Sequence, residues 1–263
     1  MTTFFTHHPT MKPADLTALK RRGEKLAVLT AYDYPTARLL DESGIDIVLV
    51  GDSLGMVVLG FPDTTHVTME HMLHHTAAVA RGTQRALLVA DLPAASYDTP
   101  EQAVANARRL IAAGAHAVKL EGGASHAARI AAIVAAGIPV MAHLGMLPQS
   151  IREEGGYKLK GKTPEAADAL LADARAVENA GAFAVVLELV QAGVAGRIST
   201  ALRIPTIGIG SGPACDGQVL VTHDLIGLFP WFTPKFARQH AQVAASIRAA
   251  ATAFLRETKQ PER

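Results

Sequence analysis

The sequence predicts an α/β protein in which one domain, residues 1–263, folds as a (β/α)8 TIM barrel. The first observation is size, because 263 residues with 49% hydrophobic content can bury one large core. The second is a repeated transition in which a helical pattern ends in glycine and a β-rich run follows within a few residues. The third is the number of such runs, since about eight strands alternating with helices close into a parallel barrel.

Four predicted strands follow this transition directly, because glycine adopts the left-handed conformation after a helix without a Cβ penalty. They lie in DESGIDIVLV, IAAGAHAVKL, VAAGIPVMAH and ENAGAFAVVLEL. The other four lie in KLAVLTAYD, RALLVADLP, RIPTIGIG and the weaker GQVLVTHD. An open doubly wound sheet is the alternative, but it normally carries a glycine-rich phosphate loop early in the chain, and none follows the first strand here.

Three segments lie outside this alternation. Residues 13–23 predict a helix that plugs the bottom of the barrel, and residues 234–258 predict an amphipathic helix that packs on the barrel or on a neighbouring subunit. Residues 146–164 are too long and too rich in glycine and charge for a plain connection. We therefore predict that this segment is an active-site loop or lid.

Charge and cysteine content restrict the class of partner and the compartment. The chain has 25 basic and 24 acidic residues and a formal charge of +1, so it shows no electrostatic footprint for nucleic acid or an anionic membrane. Small-molecule substrates are expected instead. Cys215 is the single cysteine, which excludes an internal disulfide and fits a reducing compartment. Neither a signal-peptide pattern nor a membrane-spanning apolar run is found, so a cytoplasmic location is expected.

Polar side chains are concentrated at the predicted C-terminal ends of successive strands, where barrel active sites lie. Scattered surface charges would not favour the same end of each strand, so we expect these residues to share one site. From strand one to strand six they are Tyr32 and Asp33, Asp52 and Ser53, Asp91, Lys119 and Glu121, His143, and Glu188.

Three of these acids, Asp52, Asp91 and Glu121, come from neighbouring strands, which lie about 5 Å apart. Their repulsion would be severe without a cation, and oxygen-only ligands favour a hard metal such as Mg²⁺. Each acid also has an ordinary interpretation. Asp52 and Ser53 could cap a helix. Asp91 could form a turn, and Glu121 could pair with Lys119.

The remaining candidates have similar alternatives. Lys119 could supply positive charge to a metal-bound anion, form a Schiff base, or make a plain salt bridge. His143 could orient a catalytic side chain without touching the substrate, or be a core histidine that hydrogen-bonds to the backbone. Glu188 lies in an apolar strand, where a raised pKa would suit a general base; a buried, hydrogen-bonded glutamate is the alternative.

Six motifs occur in order between about Lys25 and Leu228: TAYDYPTARLLDESGIDIVLVGDSLGMVVLG, DLPAASY, AHAVKLEGG, GIPVMAHLGMLPQS, EEGGYKLKGKT and IPTIGIGSGPACDGQVLVTHDLIGL. Together they resemble the ketopantoate hydroxymethyltransferase (3-methyl-2-oxobutanoate hydroxymethyltransferase) family. The resemblance implies a (β/α)8 barrel, commonly a homodecamer, that uses one Mg²⁺ per subunit. It also implies transfer of a one-carbon unit from 5,10-methylenetetrahydrofolate to 3-methyl-2-oxobutanoate, giving 2-dehydropantoate in pantothenate and coenzyme A biosynthesis.

At matching positions the resemblance implies roles for individual residues. Asp52 and Asp91 would bind the metal, with Glu121 completing or supporting that site. Ser53 and Lys119 would hold the substrate, again with Asp52 and Asp91 near it. The proton acceptor would be Glu188.

The nearest alternative enzyme is a metal-dependent barrel of the phosphoenolpyruvate mutase and isocitrate lyase type. Lyases of that group typically carry a catalytic cysteine in a lid loop, and residues 151–163 contain none. A Schiff-base aldolase that uses Lys119 is a second alternative. A third is a barrel retained only for binding or assembly, although all the acids required for catalysis are present.

Overall fold

The computed structural model describes residues 10–259. Eight parallel strands form a closed barrel in chain order, which confirms the predicted fold class. At the closing seam, the backbone N–H of Leu26 donates to the carbonyl of Asp216 at 3.0 Å. The strands are β1 (Leu26–Thr30), β2 (Ile47–Val50), β3 (Leu87–Asp91), β4 (Ala117–Glu121), β5 (Val140–Gly145), β6 (Ala184–Glu188), β7 (Thr206–Ile209) and β8 (Gly217–Leu220).

Helices precede the first strand, connect successive strands and follow the last one. Two of them begin with the same signal, in which Thr99 or Thr163 accepts a backbone N–H from the first turn and proline occupies the first helical position. The helices are α1 (Pro13–Arg22), α2 (Tyr34–Glu42), α3 (Leu54–Val57), α4 (Met69–Ala80), α5 (Pro100–Ala112), α6 (Ala127–Ala135), α7 (Ile151–Glu154), α8 (Pro164–Asn179), α9 (Ala192–Ala201), α10 (Thr222–Leu225) and α11 (Val243–Lys259).

The barrel interior is filled by alternate residues of the strands, and Leu16 of α1 is buried among them. The ammonium group of Lys20 in the same helix donates to the carbonyl of Ile204 and lies 2.9 Å from Asp216, just before β7 and β8 begin. These contacts place α1 at the N-terminal end of the barrel, as the sequence predicts for residues 13–23. The interior cluster is Leu16, Leu26, Val28, Ile47, Leu49, Leu87, Val89, Ala117, Met141, Ala184, Val186, Ile207 and Val219.

The chain divides into a larger compact unit that ends at Val219 and a smaller one that begins at Leu220. The interpretation of the chain as one domain therefore stays a prediction. Residues 1–9, where the sequence predicts no targeting segment, lie outside the described residues. None of the helices between residues 10 and 259 combines the length and the apolar character needed to cross a membrane.

The C-terminal helix corrects one boundary. The sequence predicts a helix over residues 234–258, whereas α11 begins at Val243. The backbone N–H groups of His240 and Val243 donate to the carbonyls of Leu225 and Ile226 at 2.7 and 3.0 Å. Because these donors are directed to the end of α10 and not to carbonyls four residues earlier, the helix does not extend back to residue 234.

Candidate active site

The alternation that fills the barrel also directs the polar residues at its C-terminal end. Val89 lies in the interior cluster, so Asp91, two residues later on β3, faces the same way. The same rule applies to β4, β5 and β6, whose alternate apolar residues also belong to that cluster. The other predicted site residues that face inward by this rule are Lys119, Glu121, His143 and Glu188.

Asp52, Asp91 and Lys119 form the first half of the site. The backbone N–H of Asp52 donates to Oδ2 of Asp91 at 3.0 Å. The strand register places Asp91 opposite Lys119, and Nζ of Lys119 lies 2.7 Å from Oδ1 of Asp91. All three side chains are buried. The lysine therefore pairs with Asp91 and not, as one interpretation of the sequence has it, with Glu121.

Negative charge exceeds positive charge in this half of the site. Burial raises the pKa of Asp52 well above its usual value, and the charges of Asp91 and Glu121 raise it further. Burial lowers the pKa of Lys119, but the charges of the neighbouring carboxylates outweigh it and raise that pKa overall. Lys119 is therefore a cation at neutral pH, which favours a charge-stabilising role over Schiff-base formation, because a Schiff base requires the neutral amine.

Ser53 and Gly51 define the space beside these carboxylates. The hydroxyl of Ser53 hydrogen-bonds to the hydroxyl of Tyr32 at 2.8 Å, not to the first amides of α3, so it does not cap that helix. A Cβ added to Gly51 would lie 2.9 Å from Oγ of Ser53 and 3.6 Å from Oδ2 of Asp91. Glycine at this inward position therefore leaves room next to Ser53 and Asp91.

Glu121, His143 and Glu188 form the second half of the site. Nδ1 of His143 lies 3.3 Å from Oε1 of Glu121, and Nε2 lies 3.3 Å from Oε2 of Glu188. Burial and the charge of Lys119 lower the pKa of His143, but the two glutamates outweigh both and raise it to about 9. His143 thus bridges two acids, which favours an orienting role over a core histidine that bonds to the backbone.

The contacts of His143 are too poorly aligned to be hydrogen bonds. Within residues 10–259, both of its ring nitrogens and Oε1 of Glu121 are buried without a hydrogen-bond partner. Buried polar atoms normally bond to protein, ordered water or a ligand. This half of the site therefore has hydrogen-bonding capacity that a polar ligand could use.

Gln149 joins the two halves and is not among the residues predicted from the sequence. Its side-chain NH₂ donates to Oδ2 of Asp52 at 2.8 Å, and its backbone N–H donates to Oε2 of Glu121 at 3.1 Å. The one sequence signal for it is its place at the start of the predicted active-site loop. The folded loop brings Gln149 to the strand ends, so its contacts with the acids become visible only in the structure.

The loop after β5 crosses the C-terminal end of the barrel. Nε of Arg152 lies 3.1 Å from Oδ2 of Asp63, in the connection between β2 and β3. At the other end, the backbone N–H of Lys160 donates to the carbonyl of Leu189, directly after β6. The hydroxyl of Tyr157, in the same loop, donates to Sδ of Met56 in α3 at 4.0 Å. The loop thus contacts both the β2–β3 connection and the end of β6, and its role as an active-site loop or lid stays a prediction.

The predicted three-carboxylate metal site is not formed as such. Among residues 10–259, no three His, Cys, Asp or Glu side chains are arranged so that they could hold a metal ion. The oxygens of Glu121 face Gln149 and His143. However, Mg²⁺ usually takes one or two carboxylates and keeps several waters. Asp52 and Asp91 fit that requirement because they are adjacent carboxyl oxygen donors, joined by the bond from the Asp52 N–H to Oδ2 of Asp91, and Oδ2 of Asp91 borders the space left by Gly51. Metal binding by Glu121 stays a prediction.

Comparison with known proteins identifies close relatives. The family model described as Ketopantoate hydroxymethyltransferase matches residues 10–262. A curated relative from Ignicoccus hospitalis, named 3-methyl-2-oxobutanoate hydroxymethyltransferase, is 53% identical and covers 94% of this chain and 94% of its own length. Relatives with the same name from Acetivibrio thermocellus and Hyperthermus butylicus are 54% and 55% identical, over 91% and 93% of this chain and 86% and 85% of their own lengths.

Solved structures share the fold at much lower sequence identity. A phosphonopyruvate hydrolase complex with oxalate and Mg²⁺ has a TM-score of 0.64 and 15% identity, covering 95% of this chain and 88% of its own. A 2,3-dimethylmalate lyase, a member of the PEP mutase/isocitrate lyase superfamily, has a TM-score of 0.61 and 16% identity, covering 96% and 89%. At such identities the likeness concerns the fold alone.

Proposed function

The chain belongs to the ketopantoate hydroxymethyltransferase family, and from that premise we propose how its site transfers a hydroxymethyl group to 3-methyl-2-oxobutanoate. The product is 2-dehydropantoate, in the pathway to pantothenate and coenzyme A. We take 5,10-methylenetetrahydrofolate as the one-carbon donor and Mg²⁺ as the metal. The observation that carries the proposal is the pair of buried, neighbouring carboxylates Asp52 and Asp91 at the C-terminal end of the barrel, with Lys119 bonded to Asp91.

Asp52 and Asp91 would hold Mg²⁺, with water and the substrate supplying the other ligands. When bound, the metal supplies Lewis-acid stabilisation of the negative charge that develops on the keto oxygen. Lys119 has three N–H donors and uses one on Asp91, so it can direct another toward a substrate oxygen. Ser53 offers a hydroxyl beside the same space.

Glu188 would remove the proton from C3 of the 2-oxo acid, a proton that the adjacent carbonyl group acidifies. His143 supports this role because Nε2 lies 3.3 Å from Oε2 of Glu188, which leaves Oε1 free to face the substrate. The raised pKa of His143 keeps its ring protonated at neutral pH, so that a positive charge lies between the two glutamates. Water would release the one-carbon unit from the donor as formaldehyde, with both C–N bonds broken, the two protons of water going to the nitrogens and tetrahydrofolate leaving. The deprotonated C3 would then form a C–C bond to that carbon, and the carbonyl oxygen would take up a proton to become the hydroxyl of the product.

We propose further that the protein acts in the cytoplasm on small molecules and assembles as a homodecamer, as its family commonly does. The nearly balanced charge of +1 is consistent with partners other than nucleic acid or an anionic membrane.

The test compares wild type with Glu188→Gln. The variant should lose exchange of the C3 proton of 3-methyl-2-oxobutanoate with D₂O, followed by proton NMR, while calorimetry shows unchanged Mg²⁺ binding. Glu70→Gln is the matched control, because Glu70 is an exposed residue that pairs with Arg109. Wild-type ketopantoate formation should require methylenetetrahydrofolate and stop with EDTA. Normal exchange by Glu188→Gln would remove Glu188 from the role of base.

A further inference from the structure

The side chain of Gln149 has a partner for each of its polar atoms. Nε2 donates to Oδ2 of Asp52 at 2.8 Å and to the carbonyl of Leu92 at 3.0 Å, and Oε1 accepts from the hydroxyl of Tyr97 at 2.5 Å. An amide has two N–H donors and a carbonyl acceptor, so both kinds of group are in use. Such a side chain has one preferred rotamer and one preferred amide orientation.

The carbonyl of Leu92 fixes that orientation. A backbone carbonyl only accepts hydrogen bonds, so the NH₂ group and not the oxygen must face it. The second N–H of the same group then faces Oδ2 of Asp52. Gln149 therefore occupies one carboxylate oxygen of Asp52 and leaves Oδ1 for another ligand.

The backbone of Gln149 is held as firmly as its side chain. Its N–H donates to Oε2 of Glu121 at 3.1 Å, and it lies in the 3-10 turn Pro148–Ser150, where proline occupies the first position. Tyr97, the partner of its amide oxygen, is buried in the connection between β3 and α5. Gln149 thus links the acids at the ends of β2 and β4 to the connection between β3 and α5, which carries both Leu92 and Tyr97.

The charges around Asp52 explain why its carboxylate needs such a link. Asp91 and Glu121 repel it, and the charge of Lys119 attracts it, but the hydrogen bond of Lys119 goes to Asp91, so within the described residues the bond to the Asp52 side chain comes from Gln149. Without the bond from Gln149, the Asp52 side chain would turn away from the other acids. A cation that binds Asp52 and Asp91 together would then have to return the Asp52 side chain to its original rotamer. The free energy needed for that change would weaken cation binding.

We propose that Gln149 is a positioning residue that fixes the carboxylate of Asp52 and so sets the affinity of the site for a divalent cation. This inference rests on the proposed function, since that function assigns Asp52 to the metal. Groups that hydrogen-bond to metal ligands typically change metal affinity by about 10- to 100-fold when they are removed. The effect of Gln149 should fall in that range.

The test is Gln149→Met, which keeps the length of the side chain and removes its hydrogen bonds. Titration calorimetry with Mg²⁺ should show roughly 10- to 100-fold weaker binding. C3 exchange should show a matching rise in the Mg²⁺ concentration for half-maximal activity, with kcat at saturating Mg²⁺ within about threefold of wild type. Melting temperature reports whether the variant folds.

Gln102→Met is the matched control, because Gln102 also bridges two groups, the carbonyl of Ala95 and the N–H of Asp98, in the connection that carries Tyr97. Its Mg²⁺ affinity should equal that of wild type. Tyr97→Phe removes only the bond to the amide oxygen and should weaken Mg²⁺ binding less, with no added effect in the Gln149→Met background.

Wild-type Mg²⁺ affinity in Gln149→Met, or an equal loss in Gln102→Met, would overturn the inference. If Gln149→Met fails to fold, Tyr97→Phe becomes the test of the inference. Unchanged Mg²⁺ affinity in Tyr97→Phe would then overturn the inference. A failure of the proposed function is distinct, because wild type would then bind Mg²⁺ in the calorimeter without forming ketopantoate.

Discussion

The close contact of Gly145 in β5 with the backbone of Glu188 in β6 gives a test of how Glu188 is positioned. A Cβ on Gly145 would lie 2.2 Å from the backbone carbonyl oxygen of Glu188, and Gly145 has φ of 95°. Carbon and oxygen atoms in close contact are normally about 3.3 Å apart. Gly145→Ala must therefore move the two strands apart by about 1 Å at the residue that is the proposed base.

Two costs add in this variant. A side chain in a left-handed conformation costs about 1–2 kcal/mol. The displacement also strains the hydrogen bond at 2.8 Å from the N–H of Met146 to the carbonyl of Glu188. Displacing a catalytic group by about 1 Å can reduce the rate about 100-fold. We expect a lower melting temperature and a C3 exchange rate reduced by about two orders of magnitude.

Gly137→Ala separates the two costs. Gly137 has φ of 81°, but a Cβ there meets no atom within 4 Å, so this variant carries the backbone strain without the collision. It should lose some thermal stability and retain wild-type exchange. Equal exchange rates in the two variants, measured with proton NMR in D₂O, would refute the reasoning that Gly145 fixes the position of Glu188.

Two further perturbations test the electrostatics. Lys119→Met leaves Asp91 buried without its partner and should destabilise the fold by about 3–5 kcal/mol in chemical denaturation. Lys25→Met, at an exposed lysine that donates to the carbonyl of Cys215, should cost much less, and equal losses would contradict a special role for the pair. Burial raises the pKa of Asp224 to about 6, above its value of about 3.9 in an unfolded chain, so folding stability is lost as the pH rises between these values. Asp224→Asn should therefore raise the melting temperature at pH 8 and change it little at pH 4, and parallel curves would exclude this assignment.

Most of the candidate site residues could be predicted from the alternation of side chains along the strands. Alternation along β3 and β4 determines that Asp91, Lys119 and Glu121 face one interior, and this follows from sequence once the strands are located. The sequence does not tell which acid forms an ion pair with Lys119, because both Asp91 and Glu121 are candidates. The register of β3 against β4 selects Asp91 by placing it opposite Lys119. Gln149 could not be predicted from the sequence for a related reason. Its partners are more than 25 residues away along the chain and meet it only in the folded barrel.

The C-terminal helix shows a different limit. Its apolar pattern continues upstream of Val243, but the sequence does not state where each backbone N–H will find an acceptor. His240 and Val243 find theirs at Leu225 and Ile226, in a segment that is distant in sequence. Helix boundaries set by such competition cannot be read from periodicity alone.

The plug formed by α1 has a consequence for the order of events. Leu16 and the inward-facing strand residues fill the barrel below the acids, so under the proposed function both reactants would enter, and the product leave, at the C-terminal rim. On the proposed function, the smaller 2-oxo acid would reach the innermost groups first, and the larger one-carbon donor would then cover it. We therefore expect steady-state kinetics of compulsory order, with the 2-oxo acid binding before the one-carbon donor.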